Sequence, residues 1–202
     1  MCHPNNSQLL KQHKNGPVNH VYTKMNMIVA VNKRGIIGKN NDMIWHIPED
    51  MKHFRRETMH NIVIMGRKTY DSLPNGPLDA RINIVITSKP ENYKDKAKSS
   101  TIFCDLDECD EILCKLKSNT SKRIFVIGGA QIYNHFFKRC KTIYVTMVQN
   151  DERDGVSIYP LLEEIQTNYR IVSRRQREKC AQTVPTLDYE FIVYETLSFP
   201  DA

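Results

Sequence analysis

Four short stretches constrain the fold more than anything else in this chain. Residues 26–31, 62–65, 82–87 and 124–127 are largely apolar and rich in Ile and Val. A strand with one wet face alternates apolar and polar residues. A run that stays apolar is buried on both faces, as in a parallel sheet covered by helices. Segments with helical character lie between these runs. Residues 48–59 open on Pro48, which suits the first helical position. Residues 67–72 make a helical turn, 107–117 place Ile112, Leu113 and Leu116 on one face, and 130–138 form a further helix. Short strands are expected at 101–103 and 142–148. Two late strands, near 169–174 and 188–197, have no helix between them and pair as a hairpin. Residues 33–47 read as a Gly-punctuated loop, 89–98 as a Lys-rich loop, and 149–155 as a charged loop leading to Tyr159 and Pro160. The expected fold is α/β: a mixed, mostly parallel sheet with helices on both faces and a C-terminal antiparallel hairpin.

Residues 1–24 are polar, carry Lys11, Lys14 and Lys24, and contain no acid. They read as a disordered or loosely attached extension, which leaves 25–202 as one domain. That extension supplies three of the positive charges behind the net charge of +6, so the body is only mildly basic. Such a body suits a small anionic ligand, and no basic stripe with interleaved aromatics argues for nucleic acid. The six cysteines include no C-x-x-C pair and meet no paired His spacing, so no metal site is expected. With no signal peptide they read as reduced thiols of a cytoplasmic protein, expected to be a monomer. No apolar run is long enough to cross a membrane.

The chemistry begins at Asp50. Counting by fours gives Phe54 and Thr58 on the same helical face, with Met51 beside them. A face meant only for a core would not begin with Asp, because an unpaired buried carboxylate is costly. The competing reading is a solvated first-turn charge, favoured by the helix dipole. Two strands end in glycine and turn straight into helices: Met65, Gly66, Arg67, Lys68, Thr69 and Ile127, Gly128, Gly129, Ala130. Helix N-termini offer free N–H groups to anions, and glycine permits close approach, so two such turns suggest the two phosphates of a dinucleotide. G-x-G-x-x-G is absent, and the same glycines would equally serve tight turns with no ligand.

Ile28 to Val31, Gly38, Trp45, Pro48, Asp50, Phe54, Thr58, Met65 to Thr69, Arg81, Ile127 to Gly129, Tyr133, Tyr144 to Thr146, and Tyr159 with Pro160 occur in an order and spacing that resembles the dihydrofolate reductase family. The resemblance covers about residues 26–197. It implies NADPH as cofactor and dihydrofolate as substrate, with Asp50 binding the pterin amino group and ring N–H, and Thr146 joining that network. Trp45 and Met43, the latter on a mobile loop over the nicotinamide, would complete the catalytic set. Phe54 and Met51 would pack on the pterin and benzoyl rings. Ile28 and Ile127 would line the pterin end, with Thr58, Leu73, Leu78 and Tyr133 also at the substrate. Arg81 would pair with the glutamate α-carboxylate, a role that suits its bidentate fork. Ala30 and Ile37 would offer backbone to the nicotinamide amide, with Gly38 beside them. Gly128 and Gly129, joined in this family by a cis peptide, would approach the pyrophosphate with Ala130, Gln131 and Ile132. Gly66, Arg67, Lys68, Thr69, Thr87, Ser88 and Lys89 would surround the adenosine 2′-phosphate end. Two positions depart from the family pattern: Ile44 stands where Pro is usual, and Val156 where an Asp often braces the mobile loop.

The implied reaction adds a hydride to the carbon of a C=N bond and a proton to its nitrogen. That nitrogen is a weak base, and a carboxylate in an apolar pocket eases its protonation by stabilising the cationic pterin. Three rivals remain at this point. A same-fold reductase of riboflavin biosynthesis lacks the Trp45 to Asp50 pattern. A non-catalytic nucleotide-binding module would bind NADPH without turnover. A nucleic-acid binder would show steep salt dependence.

Overall fold

The structure, a computed structural model, describes residues 24–96, 100–180 and 187–198. The extension expected over residues 1–24 lies outside the described residues apart from Lys24, as does the end of the Lys-rich loop.

The apolar runs form the centre of an eight-stranded sheet. Strands β1 (Met25–Asn32), β3 (Ile62–Gly66), β4 (Ile82–Ile86), β5 (Thr101–Cys104), β6 (Ile124–Gly128) and β7 (Cys140–Gln149) are parallel. Strand β10 (Leu187–Thr196) joins β7 antiparallel, and β9 (Tyr169–Cys180) pairs with β10 as the expected hairpin. The order across the sheet is β5-β4-β3-β6-β1-β7-β10-β9. Two remaining strands, β2 (Ile36–Gly38) and β8 (Val156–Ser157), form a small antiparallel ribbon of their own.

Alternation along each strand separates two buried faces. Met25, Met27, Val29 and Val31 of β1 share one core with Cys109 and Leu113 of α3 (Leu106–Ser118). The same core takes in Ile132 and Phe136 of α4 (Ala130–Phe136), and Leu161, Leu162 and Ile165 of α5 (Tyr159–Asn168). Ile28 points the other way, into a cluster with Val63, Met65, Val85 and Phe125. That face is covered by Phe54 of α1 (Pro48–Thr58) and Tyr70 of α2 (Arg67–Asp71). Helix α1 has no side-chain cap; Pro48 starts it with a preset φ and no N–H to satisfy, while the acids Glu49 and Asp50 in the first turn and Arg55 and Arg56 in the last complement the helix dipole.

Four expectations needed correction. The stretch 33–47 is not all loop, because β2 forms within it by pairing with β8. The stretch 89–98 contains a 3₁₀ turn over Pro90–Lys96. Helix α5 was not foreseen: its N-cap, Ile158, offers no capping side chain, and the available signal was Pro160 followed by the buried spacing Leu161, Leu162, Ile165. Helix α4 is also shorter than the expected 130–138, handing over to a 3₁₀ turn at Phe137–Arg139. Among the described residues no helix is long and apolar enough to cross a membrane, and no His, Cys, Asp and Glu cluster could hold a metal ion.

Candidate active site

Asp50 leaves the first turn of α1 toward β7. There the Thr146 hydroxyl donates to its Oδ1 at 2.5 Å. Thr146 is fully buried and Asp50 half-buried, while Oδ2 accepts no hydrogen bond from any described residue. Burial raises the Asp50 carboxyl above its ordinary range, and the Thr146 hydrogen bond pulls the other way without cancelling it. One carboxylate oxygen is therefore fixed, and the other has no donor among the described residues and lies in poorly solvated surroundings.

An apolar wall runs from this acid. Phe54, Leu73, Leu78 and Ile127, all half-buried, pack against the same cluster as Ile28, Val63, Met65 and Phe125. Met51 and Met43 stand about half-exposed at the edges. Tyr133 is buried, and its hydroxyl donates to the Ile28 carbonyl at 2.8 Å, so it braces β1 rather than offering a free polar group. Trp45 is buried against Ile47, Val148 and Phe191, and its Nε1–H meets no acceptor among the described residues. A buried donor left unmet in this way is costly and marks a place where a polar partner is favoured.

Two turns further along α1 its last helical residue, Thr58, meets a cation. Arg81 is only 5% exposed, yet it makes no ion pair among the described residues. Its Nε donates to the Asp79 carbonyl and its Nη1 to the Thr58 hydroxyl, each at 3.0 Å. Thr58, fully buried, in turn donates to the Phe54 carbonyl at 2.7 Å. Thr58 thus holds the guanidinium in place. Burial, with the nearby Arg55 adding repulsion, lowers the Arg81 pKa, but a guanidinium stays charged at any physiological pH. Of its five N–H donors only two are used, which leaves an open fork. Asp50 and Thr58 are eight positions apart on α1, about 12 Å at the helical rise.

The two glycine turns come together at the C-terminal rim of the parallel strands, where open α/β sheets bind ligands. Met65 pairs with Gly128, and a Cβ on Gly66 would lie 3.9 Å from the Gly128 carbonyl and 3.1 Å from Ile132. The Gly128–Gly129 peptide is cis. Gly128 has φ +118°, outside the range side-chain residues readily adopt, and a Cβ on Gly129 would meet only the Thr69 hydroxyl, at 3.6 Å. The backbone there is open to close approach. Ala130 is half-buried and Gln131 exposed beside it. Gly66 pairs with Ile86 in the parallel register of β3 and β4. Arg67 and Lys68 consequently share a rim with Thr87, Ser88 and Lys89, all exposed except Thr87, whose hydroxyl accepts from the Lys89 N–H at 3.3 Å. Arg67 also has a structural partner: it pairs with Asp71 one turn on at 2.9 Å. Ala30 and Ile37 are half-buried, and Gly38 is required by the Asp42 carbonyl, which a Cβ would approach to 2.7 Å.

Sequence reasoning missed His53. It is buried, its ring lies 4.5 Å from that of Phe191, and its Nδ1 accepts from Arg56 Nη2 at 2.7 Å. Arginine is always a donor, so this histidine is neutral, in keeping with a pKa lowered by burial. Phe191 pairs with Thr146, so His53 backs the strand that holds the acid. Its position three residues after Asp50, on the same helix face, was the available signal.

Comparison with known proteins agrees with this geometry. The dihydrofolate reductase family model matches residues 24–196. Dihydrofolate reductase of Bacillus subtilis is 34% identical over 171 residues, covering 85% of this chain and 94% of that protein. Dihydrofolate reductase type 9 of Escherichia coli is 38% identical over 133 residues, covering 64% of this chain and 73% of its own. Among solved structures, dihydrofolate reductase from Enterococcus faecalis complexed with NADP(H) and RAB-propyl superposes with a TM-score of 0.69 at 25% identity, covering 87% of this chain and 97% of that one. With its model spanning the whole described fold, from β1 to the end of β10, the chain belongs to the dihydrofolate reductase family.

Proposed function

We propose that this chain reduces 7,8-dihydrofolate to 5,6,7,8-tetrahydrofolate with NADPH, and that Asp50 promotes protonation of the imine nitrogen. The observation that carries the reading is the placing of two groups of opposite charge, neither in an ion pair among the described residues, at the two ends of helix α1. A desolvated carboxylate stands at one end, and a buried guanidinium with an open fork stands about two helical turns away. A pterin cation suits the first, the glutamate carboxylate suits the second, and the benzoyl ring fits the apolar wall between them. Phe54, Met51, Ile28, Ile127, Leu73 and Leu78 would make that wall. Thr146 would orient Asp50, Thr58 would orient Arg81, and Tyr133 would keep β1 in place. The orphaned Trp45 N–H adds a donor close to the acid's helix.

The residues present also fit NADPH. A glycine pair with open backbone and a basic rim suit phosphates, and Ala30, Ile37 and Gly38 would offer backbone to the nicotinamide, with Met43 above it. Bound NADPH supplies the hydride. The chain's own share is to orient the pterin, to exclude water with the 33–47 segment, and to keep a negative charge where the protonated ring nitrogen develops. Loss of NADPH absorbance on adding dihydrofolate, blocked by a diaminopyrimidine antifolate, tests the reading; binding of NADPH without turnover would sink it.

Arg67, Lys68, Ser88 and Lys89, with Gly66, Thr69 and Thr87 behind them, are assigned to the 2′-phosphate end. Gly128, Gly129, Ala130, Gln131 and Ile132 are assigned to the pyrophosphate. Arg67→Ala is expected to raise the KM for NADPH by about tenfold, the lower end of a charge-assisted contact, because Asp71 competes for the same guanidinium. NADH has no phosphate for Arg67 to grip, so its KM should barely move. An equal loss for both cofactors would remove Arg67 from phosphate recognition.

Residues 1–24 are assigned as an extension dispensable for the reaction, and 25–202 as the reductase domain, a cytoplasmic monomer. The described cysteines Cys104, Cys109, Cys114 and Cys140 are free thiols, as a reducing compartment keeps them. A chain beginning at Met25, the first residue of β1, is expected to keep its Tm and its turnover. A loss of more than about tenfold in turnover, the equivalent of ~1.4 kcal/mol, would overturn the assignment.

A further inference from the structure

Asn32 ends β1 and is completely buried. All four of its side-chain hydrogen-bonding positions are used. Nδ2 donates to Asn150 Oδ1 at 3.0 Å and to the Glu152 carbonyl at 2.9 Å. Oδ1 accepts the backbone N–H groups of Arg34 and Ile36, each at 3.0 Å. Two backbone donors on Oδ1 and a carbonyl on Nδ2 fix the orientation of the carboxamide, and no other side chain of this size offers the same two donors and one doubly accepting oxygen.

These bonds join two segments far apart in the chain. One is 33–38, which contains β2 and leads toward Trp45 and Asp50. The other is 149–157, which follows β7, the strand that carries Thr146. The segments then run as one strap. Ile158 N–H donates to the Gly35 carbonyl at 2.7 Å, the Ser157 hydroxyl donates to the Arg34 carbonyl at 3.1 Å, and β2 pairs with β8. Gly35 has φ +75°, and a Cβ there would lie 2.5 Å from the Tyr159 nitrogen, so the segments are in backbone contact. An ion pair between Lys39 and Asp154, 2.7 Å long, closes the tip, but its side chains are 43% and 78% exposed and such a pair contributes little. Val156 pairs through its backbone only, and its side chain is about half-exposed. The strap's one buried polar anchor among the described residues is therefore Asn32.

The anchor lies next to the proposed chemistry. Ala30 pairs with Thr146 and Asn32 with Val148 in the β1–β7 register. Asn32 is thus one same-face step, about 7 Å, beyond the Ala30–Thr146 pair. We propose that Asn32 is a positioning residue for the reduction, holding the 33–38 and 149–157 segments together so that Ala30, Ile37 and Gly38 present their backbone at a fixed distance from Asp50. The proposal rests on the assignment of those three residues to the nicotinamide end. It places Asn32 behind the hydride-transfer geometry and away from the pterin groove, which α1 and Arg81 define independently.

The test uses Asn32→Ala, Asn150→Ala and the double variant in the full chain. Single-turnover hydride transfer, the NADPH dissociation constant, the KM for dihydrofolate and the Tm are measured for each. Asn32→Ala is expected to slow hydride transfer about ten- to a hundredfold, the rate equivalent of roughly 1.4–2.7 kcal/mol, and to weaken NADPH. The KM for dihydrofolate should stay within about twofold, below the tenfold step that 1.4 kcal/mol represents. Asn150→Ala should shift the same quantities less. The double variant should be no slower than Asn32→Ala, because the two share one contact. A fall in Tm with unchanged hydride transfer and NADPH affinity would make Asn32 a merely structural residue and overturn the proposal. If Asn32→Ala does not fold, Asn150→Ala decides: a wild-type hydride-transfer rate in that variant overturns it. Wild-type turnover and NADPH binding are read in the same assays, so failure of the reductase reading itself would appear there and not be confused with failure of the anchor.

Discussion

Asp50→Asn is expected to lower turnover at pH 7 by about two to four orders of magnitude, the range usual for lost acid–base assistance. The substitution keeps size and shape. Thr146 can still bond the side chain, because its hydroxyl can accept where it now donates at 2.5 Å. What disappears is the negative charge that stabilises the protonated pterin. The deficit should shrink as pH falls, because substrate then arrives already protonated. NADPH affinity should change little, since the glycine turns and the basic rim are untouched. Stability should move the opposite way to activity. Burial raises the folded-state pKa of Asp50 above its unfolded value. A raised pKa means that the folded state binds the proton more tightly. The protonated acid is well accommodated below the unfolded pKa, and that advantage is lost as pH rises through the folded pKa. At pH 7 the wild type therefore carries the cost of a buried charge. Asp50→Asn should melt higher than wild type at neutral pH, with the difference closing as pH falls into the carboxylate range. A variant with near-wild-type rates at pH 7 would remove Asp50 from the proton chemistry. A Tm difference that grew toward low pH would contradict the direction of the shift.

The parts of the molecule legible in sequence are those whose stability is written locally. β1, β3, β4 and β6 announce themselves because both faces are buried, so their residues must be apolar at successive positions. The face of α1 was legible because Asp50, Phe54 and Thr58 follow the helical repeat. The elements that escaped are held from a distance. β2 has three residues and no periodicity to read; what orders it is pairing with β8 and the carboxamide of Asn32, whose partner Asn150 is 118 positions away. Helix α5 lacks a capping side chain, so its start carried only the Pro160 signal. Within the site, the acid and the guanidinium could be named from sequence, but the division of labour around them could not. That Thr58 serves Arg81 is a contact between residues 23 apart, and that Tyr133 serves Ile28 one between residues 105 apart. The Arg67–Asp71 pair, by contrast, has helical i,i+4 spacing and could have been read directly.

Arg81→Leu is expected to raise the KM for dihydrofolate by about a hundred- to a thousandfold, while kcat falls far less. The guanidinium has three N–H donors left after Asp79 and Thr58 are served, enough for the two-bond fork that a carboxylate accepts. Each charge-assisted bond contributes roughly 1.5–3 kcal/mol, and two of them near the lower end, about 3–4 kcal/mol together, set the expected factor. The groove's other end, Asp50 with Thr146, is about 12 Å away and is unaffected, so the reacting bond should still be oriented once substrate is bound. Folding should survive. Thr58 keeps its bond to the Phe54 carbonyl, and a buried cation with no ion pair among the described residues is exchanged for an apolar side chain beside Phe54. Arg81→Lys keeps the charge but loses the fork and should fall between the two. A substrate lacking the glutamate tail, a dihydropteroate, supplies the decisive comparison. It has no carboxylate for Arg81 to hold, so wild type and Arg81→Leu should use it with similar KM. If Arg81→Leu weakened dihydropteroate as much as dihydrofolate, Arg81 would be a wall of the groove and the carboxylate would have to be held elsewhere.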